Sequence, residues 1–538
     1  MIYGISQNSF GFVFEGMKTI VSLSAYNSMN MIKRILCFLV LFFHTFVNYG
    51  KDSPGRSKPR LVVGITVDNF YPEWIKLYED LLLDKGLKRL VGNSVKIEAD
   101  YGYLYSQSGC DQATIYTGTL PSTHGIVAHK WYNRLKKSRE ELLVSYKHYE
   151  IGEGSSTHSP VPEELHSMTL GGFMKMFYPG AKVFSVGIKG ENAVLSGGHS
   201  ADMAFWLSTK SGKWVTSDYY SRQLPDWLER YNAKFAGDNC RDKNWTPLIG
   251  RAFNHKMESS CEGLMTTPYA NTVVNNMVMS LIDNERLGKD DIPDLLAVNF
   301  SCLDLKNSEY PVDSEEFKDV VLRLDHNVEA LIAKLDRSVG AGNYVLFLTF
   351  AEAREFLPVD FNSKRMNADN FSIFRAISLL KSYLNLKYGS YEWIADYDMG
   401  QIYLDHELIK AHKISLNEIR QEVVDFLVKF EGISGAWSAS VLTGASGVKT
   451  SAQASFSQTK SGDVLYYPHP YWTIDCRENG LSEGLRYSKR HRVPLYLYGK
   501  SGMKCRRYGN MIDLLPTLCD ILEIPTPYFC EGETLICD

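Results

Sequence analysis

The chain has 538 residues, of which 44% are apolar and 22% charged, with a formal net charge of −4. That is the composition of a globular protein with a large core, and one elaborated α/β domain with insertions can use this length. A balance so close to neutral gives no reason to expect a polyanion partner, so nucleic acid is not an expected ligand.

Lys33 and Arg34 precede an apolar run from Ile35 to Val47, and a polar stretch follows. A basic segment ahead of a short apolar one is the pattern of a secretory signal, and the run is short for a membrane span. Residues 1–50 are therefore predicted to be an upstream extension and signal, with Met31 as the best-fitting start. Residues 51–59, rich in Pro, Lys and Arg, read as a linker. No other stretch approaches spanning length, so the expected location is periplasmic or secreted, with no membrane span once the signal is removed. Export makes disulfides available. Of ten cysteines, Cys37 lies in the signal, and the sequence-local candidate pairs are Cys240 with Cys261 and Cys530 with Cys537. The remainder is odd, which leaves one unpaired in a monomer.

Residues 60–538 are expected to form the folded part. Leu61–Asp68 (LVVGITVD) reads as a buried strand ending on a carboxylate. From Ser106 the chain reads SQSGCDQATIYTGTLPSTHGI, with Ser108 at what reads as a helix start. Asp294–Phe300 is a second buried strand, followed by Ser301, Cys302, Leu303 and Asp304. The apolar positions of Phe317–Leu335 follow helical spacing, and Asp313 with Glu316 resembles a capping box. Tyr344–Phe350 and Val493–Gly499 are the third and fourth strands, while residues from about 362 to 451 break the rhythm and are expected to form an inserted cap. Apolar strands alternating with helices predict an α/β fold, a doubly wound, mostly parallel sheet flanked by helices. Functional groups in such a sheet gather beyond the C-terminal strand ends, where Asp68 and Asp304 fall.

A hydroxyl at Ser108 would meet unpaired backbone N–H groups and the positive end of the helix dipole, which suits a nucleophile attacking phosphate. An N-cap serine is the plainer reading of the same residue. The stretch ATIYTGTLPSTHGI, with LVVGITVD upstream, resembles the alkaline phosphatase superfamily. Within it, the chain looks like the secreted, phosphate-irrepressible, Lys-containing alkaline phosphatases of Bacteroidetes-type bacteria. GIKGENAVLSGGHSADMAFW (Gly187–Trp206), PDLLAVNFSCLD, KLDRSVGAGNYVLFLT and IDLLPTLCDILEIPTP extend the resemblance collinearly from about Pro59 to the C-terminus.

The resemblance implies a Thr or Ser nucleophile phosphorylated between two zinc ions, which polarise the phosphoryl oxygens and activate first the nucleophile and then water. Carried over residue by residue, the first metal Asp is kept as Asp68, the second as Asp304, and the nucleophile falls at Ser108. The His four residues after the second Asp falls at Ser308, and the Asp-His pair falls at Ala351 and Glu352. The final His falls at Arg492, beside His491, so Glu352 and His491 are the candidate substitute ligands. The phosphate-clamping Asn falls at His129, and the Lys-x-Arg pair at Lys189 and Glu191. Catalytic zinc needs about three protein ligands, so the expected zinc is absent or partial here. Arg492 beside Asp304, and Lys189 beside Glu191, are expected as ion pairs that neutralise carboxylates left without metal.

His124 and His199 match the family and read as packing or loop histidines. Cys110 and Cys302 fall near the site and are open to a disulfide, a soft metal site or neither, with inert packing the favoured reading; the Tyr and Trp residues around Trp206–Trp227 read as core and surface. The expected function is a pseudophosphatase that binds a phosphate-like anion, a phosphomonoester or a partner with little or no turnover. The alternative is an active or impaired phosphomonoesterase that uses Ser108 with a rearranged metal site.

Overall fold

The continuous apolar runs become the centre of one large sheet in the computed structural model. It describes residues 58–153, 157–239, 244–256, 261–301, 310, 313–353, 369–398, 400–444, 449–469, 472–475, 484–486, 492–500 and 502–537. Residues 1–57, where the signal and most of the linker are expected, and Cys302, Asp304, Ser308 and His491 lie outside the described residues. In chain order the strands of the sheet are β1 (Leu61–Asp68), β2 (Val95–Asp100), β3 (Val144–Ile151), β4 (His158–Pro160), β5 (Val183–Gly187) and β6 (Met203–Leu207). Then follow β7 (Trp214–Ser217), β8 (Asp294–Ser301), β9 (Tyr344–Ala351), β10 (Arg492–Tyr498) and β11 (Tyr508–Asn510). They lie in the order β11-β2-β10-β9-β1-β8-β5-β6-β7-β3-β4.

Strands β9, β1, β8, β5 and β6 run parallel. Strands β1, β8 and β9 are buried along their whole length, as a sheet covered on both faces requires. The predicted α/β class, a mostly parallel sheet flanked by helices, is the observed one. The fourth predicted strand differs in direction, since β10 pairs antiparallel with both β9 and β2. An apolar run has the same pattern read either way, so its direction is invisible in the sequence. The reversal brings Arg492, the first residue of β10, level with Asp100 at the end of β2.

Three helices matter for the site: α1 (Ser108–Thr117), α2 (Gly190–Gly197) and α3 (Glu315–Leu335). The apolar face expected for α3 is buried, with Phe317 stacked on Trp74 at 4.7 Å, while Phe70 stacks on Phe350 at 5.1 Å. Burying each such ring contributes about 1.5–3 kcal/mol. The cap of α3 is a correction: Ser314 is the N-cap and accepts from the Phe317 N–H, so Asp313 and Glu316 form no capping box. The helix begins one residue later than that box needs, and Glu316 pairs instead with His255 at 2.9 Å. Gly64, in the middle of β1, permits a close approach: a Cβ there would lie 2.4 Å from both the Phe347 ring and the Tyr116 hydroxyl. That contact seats α1 directly on β1 and β9.

A second core gathers buried residues between 371 and 474, joined by Leu104 and Tyr105. It surrounds an antiparallel sheet of Ile394–Asp398, Gln401–Leu404, Ile433–Ser438 and Val464–Pro468. Asp463 is buried at its centre and accepts from Arg134 (3.1 Å), Arg420 (2.6 Å), His406 (2.8 Å) and the Leu404 N–H (2.9 Å). Lys460, also buried, donates to the Gly125 carbonyl at 2.8 Å, pairs with Glu164 at 2.7 Å and lies over the Trp131 ring. These contacts fix the second core against the loop that follows α1.

Cys261 is disulfide-bonded, and Cys240 lies outside the described residues. The expected Cys530–Cys537 bridge is not formed, and both thiols are free. Cys530 turns its sulfur toward the carbonyls of Gly118 (3.3 Å) and Ile512 (3.9 Å), while Cys537 sits exposed beside an isolated bridge of Cys505 with Ile536. Among the described residues no helix is long and apolar enough to cross a membrane.

Candidate functional site

Strand register builds the site. Asp68, the last residue of β1, stands opposite Ser301 of β8 on one side and Ala351 of β9 on the other. The C-terminal ends of three strands therefore form one row, and α1 starts above it. Ser108 is the first residue of α1, and Gln107 is its N-cap in extended backbone. Ser108 is thus not the N-cap serine of the plainer reading. The Gln107 side chain accepts from the His129 N–H at 2.9 Å, so the loop after α1 is tied to the start of that helix.

The Ser108 hydroxyl donates to Asp68 Oδ2 at 2.6 Å, and the Asn192 amide donates to the same oxygen at 2.5 Å. Gln112 lies 3.4 Å from Asp68 Oδ1 and donates to Thr66 at 2.8 Å. Burial raises the Asp68 carboxyl above its ordinary range, while the Lys189 charge and the Ser108, Asn192 and Gln112 hydrogen bonds pull it back. Asn192 and Gln112 were not among the expected site residues. Gln112 carries a signal, because four residues after Ser108 is one helical turn along the same face. Asn192 is legible only as a polar residue in the first turn of α2, next to Lys189 and Glu191.

The positions that the resemblance assigns to a phosphate clamp hold each other. Glu191 in the first turn of α2 pairs with His129 Nδ1 at 3.1 Å. The hydrogen bond to Glu191 raises the imidazole above its ordinary value, against the opposing effect of burial. Because the folded value is the higher one, this pair stabilises the fold fully below about pH 6.5 and loses its contribution as pH rises through the raised value. Glu191→Gln is expected to move the His129 titration, followed by NMR, back toward 6.5; an unmoved titration contradicts the pairing. Arg492 is exposed and binds Asp100 at 3.3 Å, and its expected partner Asp304 lies outside the described residues.

Glu352, the first residue past β9, has a left-handed backbone (φ 46°). Its N–H donates to Asp111 Oδ2 at 2.7 Å, and Asp111 also accepts from the Tyr103 and Ser106 hydroxyls, each at 2.6 Å. Burial pushes the Asp111 carboxyl up to about 7. The Glu352 carboxylate in turn accepts from the Ser108 N–H at 3.3 Å.

The zinc that the resemblance implies does not fit the described residues around Asp68. One carboxylate oxygen already receives Ser108 and Asn192, Gln112 faces the other, and the neighbouring position in the row is Ala351, which has no donor atom. Among the described residues no three His, Cys, Asp or Glu side chains gather as a metal site. Asp304 and His491, the ligands expected for the second ion, lie outside the described residues.

The expected bystanders hold structure. His124 is fully buried, accepts from the Ile126 N–H at 3.1 Å and meets Thr114 at 3.1 Å, and burial drives its pKa down to about 3. His199 bonds the Leu165 carbonyl at 2.7 Å. Cys110 is a free buried thiol that desolvation holds protonated. Trp206 and Trp227 donate to Glu150 and Glu285 from the edge of the main core.

A family model described as type I phosphodiesterase / nucleotide pyrophosphatase matches residues 62–349. Alkaline phosphatase PafA of Elizabethkingia meningoseptica is 26% identical over 524 residues, covering 89% of this chain and 94% of that protein. A protein named calcium-transporting ATPase from Myroides odoratus is 26% identical over 540 residues, covering 93% and 97%. The crystal structure of wild-type alkaline phosphatase PafA superposes with a TM-score of 0.79 at 24% identity, covering 90% of this chain and 99% of that one. At that identity the superposition speaks to the fold alone.

Proposed function

The chain belongs to the type I phosphodiesterase / nucleotide pyrophosphatase family, in the alkaline phosphatase superfamily, and from that premise we propose that it is an exported pseudophosphatase. In this reading it holds a phosphate-like anion or a partner and turns little or nothing over. The observation that carries it is the pairing of His129 with Glu191 at 3.1 Å, which turns the clamp positions toward each other. A carboxylate at the second clamp position also repels a phosphate dianion. The Asp68 surroundings support the same reading, since hydrogen-bond donors stand where a cation would have to bind. Lys189, whose charge acts on Asp68, supplies the attraction for an anion.

Ser108 donating to Asp68 at 2.6 Å favours the second reading, an impaired phosphomonoesterase with Ser108 as nucleophile. Zinc content and hydrolysis of a chromogenic phosphate monoester separate the two. The purified chain is expected to carry less than stoichiometric zinc. Its turnover is expected to fall at least about a thousandfold below a zinc-loaded relative, since a lost cation forfeits several kcal/mol of transition-state stabilisation. Stoichiometric zinc with turnover abolished by Ser108→Ala overturns the pseudophosphatase reading. Weakening of inorganic phosphate binding by Lys189→Ala supports it.

A further inference from the structure

Glu352 has a peculiar combination of properties. It is a non-glycine residue in left-handed backbone (φ 46°), a conformation that a side chain adopts at a cost. Nothing in that geometry is loose. Ala351 before it is paired in register with Asp68, and its own N–H is held by Asp111 at 2.7 Å. Asp111 is in turn fixed by Tyr103 and Ser106. The outcome is a carboxylate delivered to the Ser108 N–H at 3.3 Å, at the first turn of a ten-residue helix. Backbone N–H groups there, with the helix dipole, favour negative charge.

We propose that Glu352 is a tethered anion that occupies the anion position at Ser108, so that it competes with an external phosphate and sets the affinity of the site. The inference rests on the anion-binding reading above and adds the residue that governs it. A phosphate oxygen reaching the Ser108 N–H must displace the Glu352 carboxylate, and any phosphate nearby is repelled by it. Lys189, whose charge acts on Asp68, then attracts the anion against that repulsion. Asp68 cannot play the same part, because its oxygens face Ser108 Oγ, Asn192 and Gln112 rather than the helix N–H.

The test is calorimetric titration of inorganic phosphate into the full chain and its Glu352→Gly, Glu352→Gln and Lys189→Ala variants. Glu352→Gly is expected to bind phosphate about tenfold more tightly than wild type, because one like charge is removed at contact distance. Its melting temperature is expected to be unchanged or higher, since glycine accepts the left-handed backbone without strain. Glu352→Gln keeps the side-chain volume and is expected to gain affinity as well, which covers the case of a glycine variant that folds poorly. Equal, measurable phosphate affinity in wild type and both Glu352 variants, lost in Lys189→Ala, overturns this inference and leaves the anion-binding reading standing. Absence of phosphate binding in wild type and in all variants overturns both.

Discussion

Replacing the mutually paired clamp, Glu191→Arg together with His129→Asn, is expected to tighten inorganic phosphate binding by about a hundredfold. Glu191 and His129 now meet at 3.1 Å in the first turn of α2 and the loop after α1. The exchange removes a carboxylate that repels a dianion and replaces it with a fork that donates two charge-assisted hydrogen bonds. Both residues are partly exposed, so the cost to the fold is expected to be small. Calorimetric titration of phosphate at one fixed ionic strength measures the gain, and an affinity within threefold of wild type contradicts it. The single variants separate the contributions. Glu191→Arg alone is expected to give most of the gain, because His129→Asn alone leaves the carboxylate unpaired and still repulsive.

Asp463→Ala is expected to destabilise the chain by about 3–5 kcal/mol. The carboxylate is fully buried and satisfies Arg134, Arg420, His406 and the Leu404 N–H together. Its removal leaves three partly buried cationic side chains, Arg134, Arg420 and His406, without their shared carboxylate. Burial opposes ionisation of this carboxyl, but the His406 hydrogen bond and the Arg134 and His406 charges overcome it and hold it well below the usual carboxylate range. The folded value is therefore lower than the unfolded one. The stabilisation is present above about pH 3.8 and is lost as pH falls through the depressed value. Urea unfolding of wild type and variant at pH 7 and under acid reads both effects. A difference under 1 kcal/mol at neutral pH contradicts the network.

The central strands and the long helix were legible because run length, β-branching and spacing agreed. Short continuous runs with β-branched residues, such as Leu61–Asp68 and Tyr344–Phe350, favour a strand covered on both faces, and the apolar spacing of Phe317–Leu335 favours a helix. What was not legible depended on partners far away in sequence. The direction of β10 is fixed by pairing with β9 and β2, which an apolar run cannot encode. Only six residues lie between Cys530 and Cys537, yet the first sulfur turns to the Gly118 carbonyl and the second to that of Leu535. At the site, motif positions indicated Asp68, Ser108, His129, Lys189, Glu191 and Glu352, but not that Glu191 would pair with His129. Asn192 joining Asp68, and Glu352 reaching the Ser108 N–H, are contacts across 124 and 244 residues. Neither leaves a local trace.

The row formed by Asp68, Ser301 and Ala351 has a consequence for how such a protein changes over time. Backbone pairing sets where each strand ends, whatever side chain it carries, so the row works as a socket into which different chemical groups fit. Ala351 is buried and makes no demand on its neighbours beyond volume. A single codon change there can alter the chemistry on offer while the hydrogen-bonded frame remains in place. Changes in the groups on offer then become short walks between neighbouring sequences on one scaffold, with no refolding required.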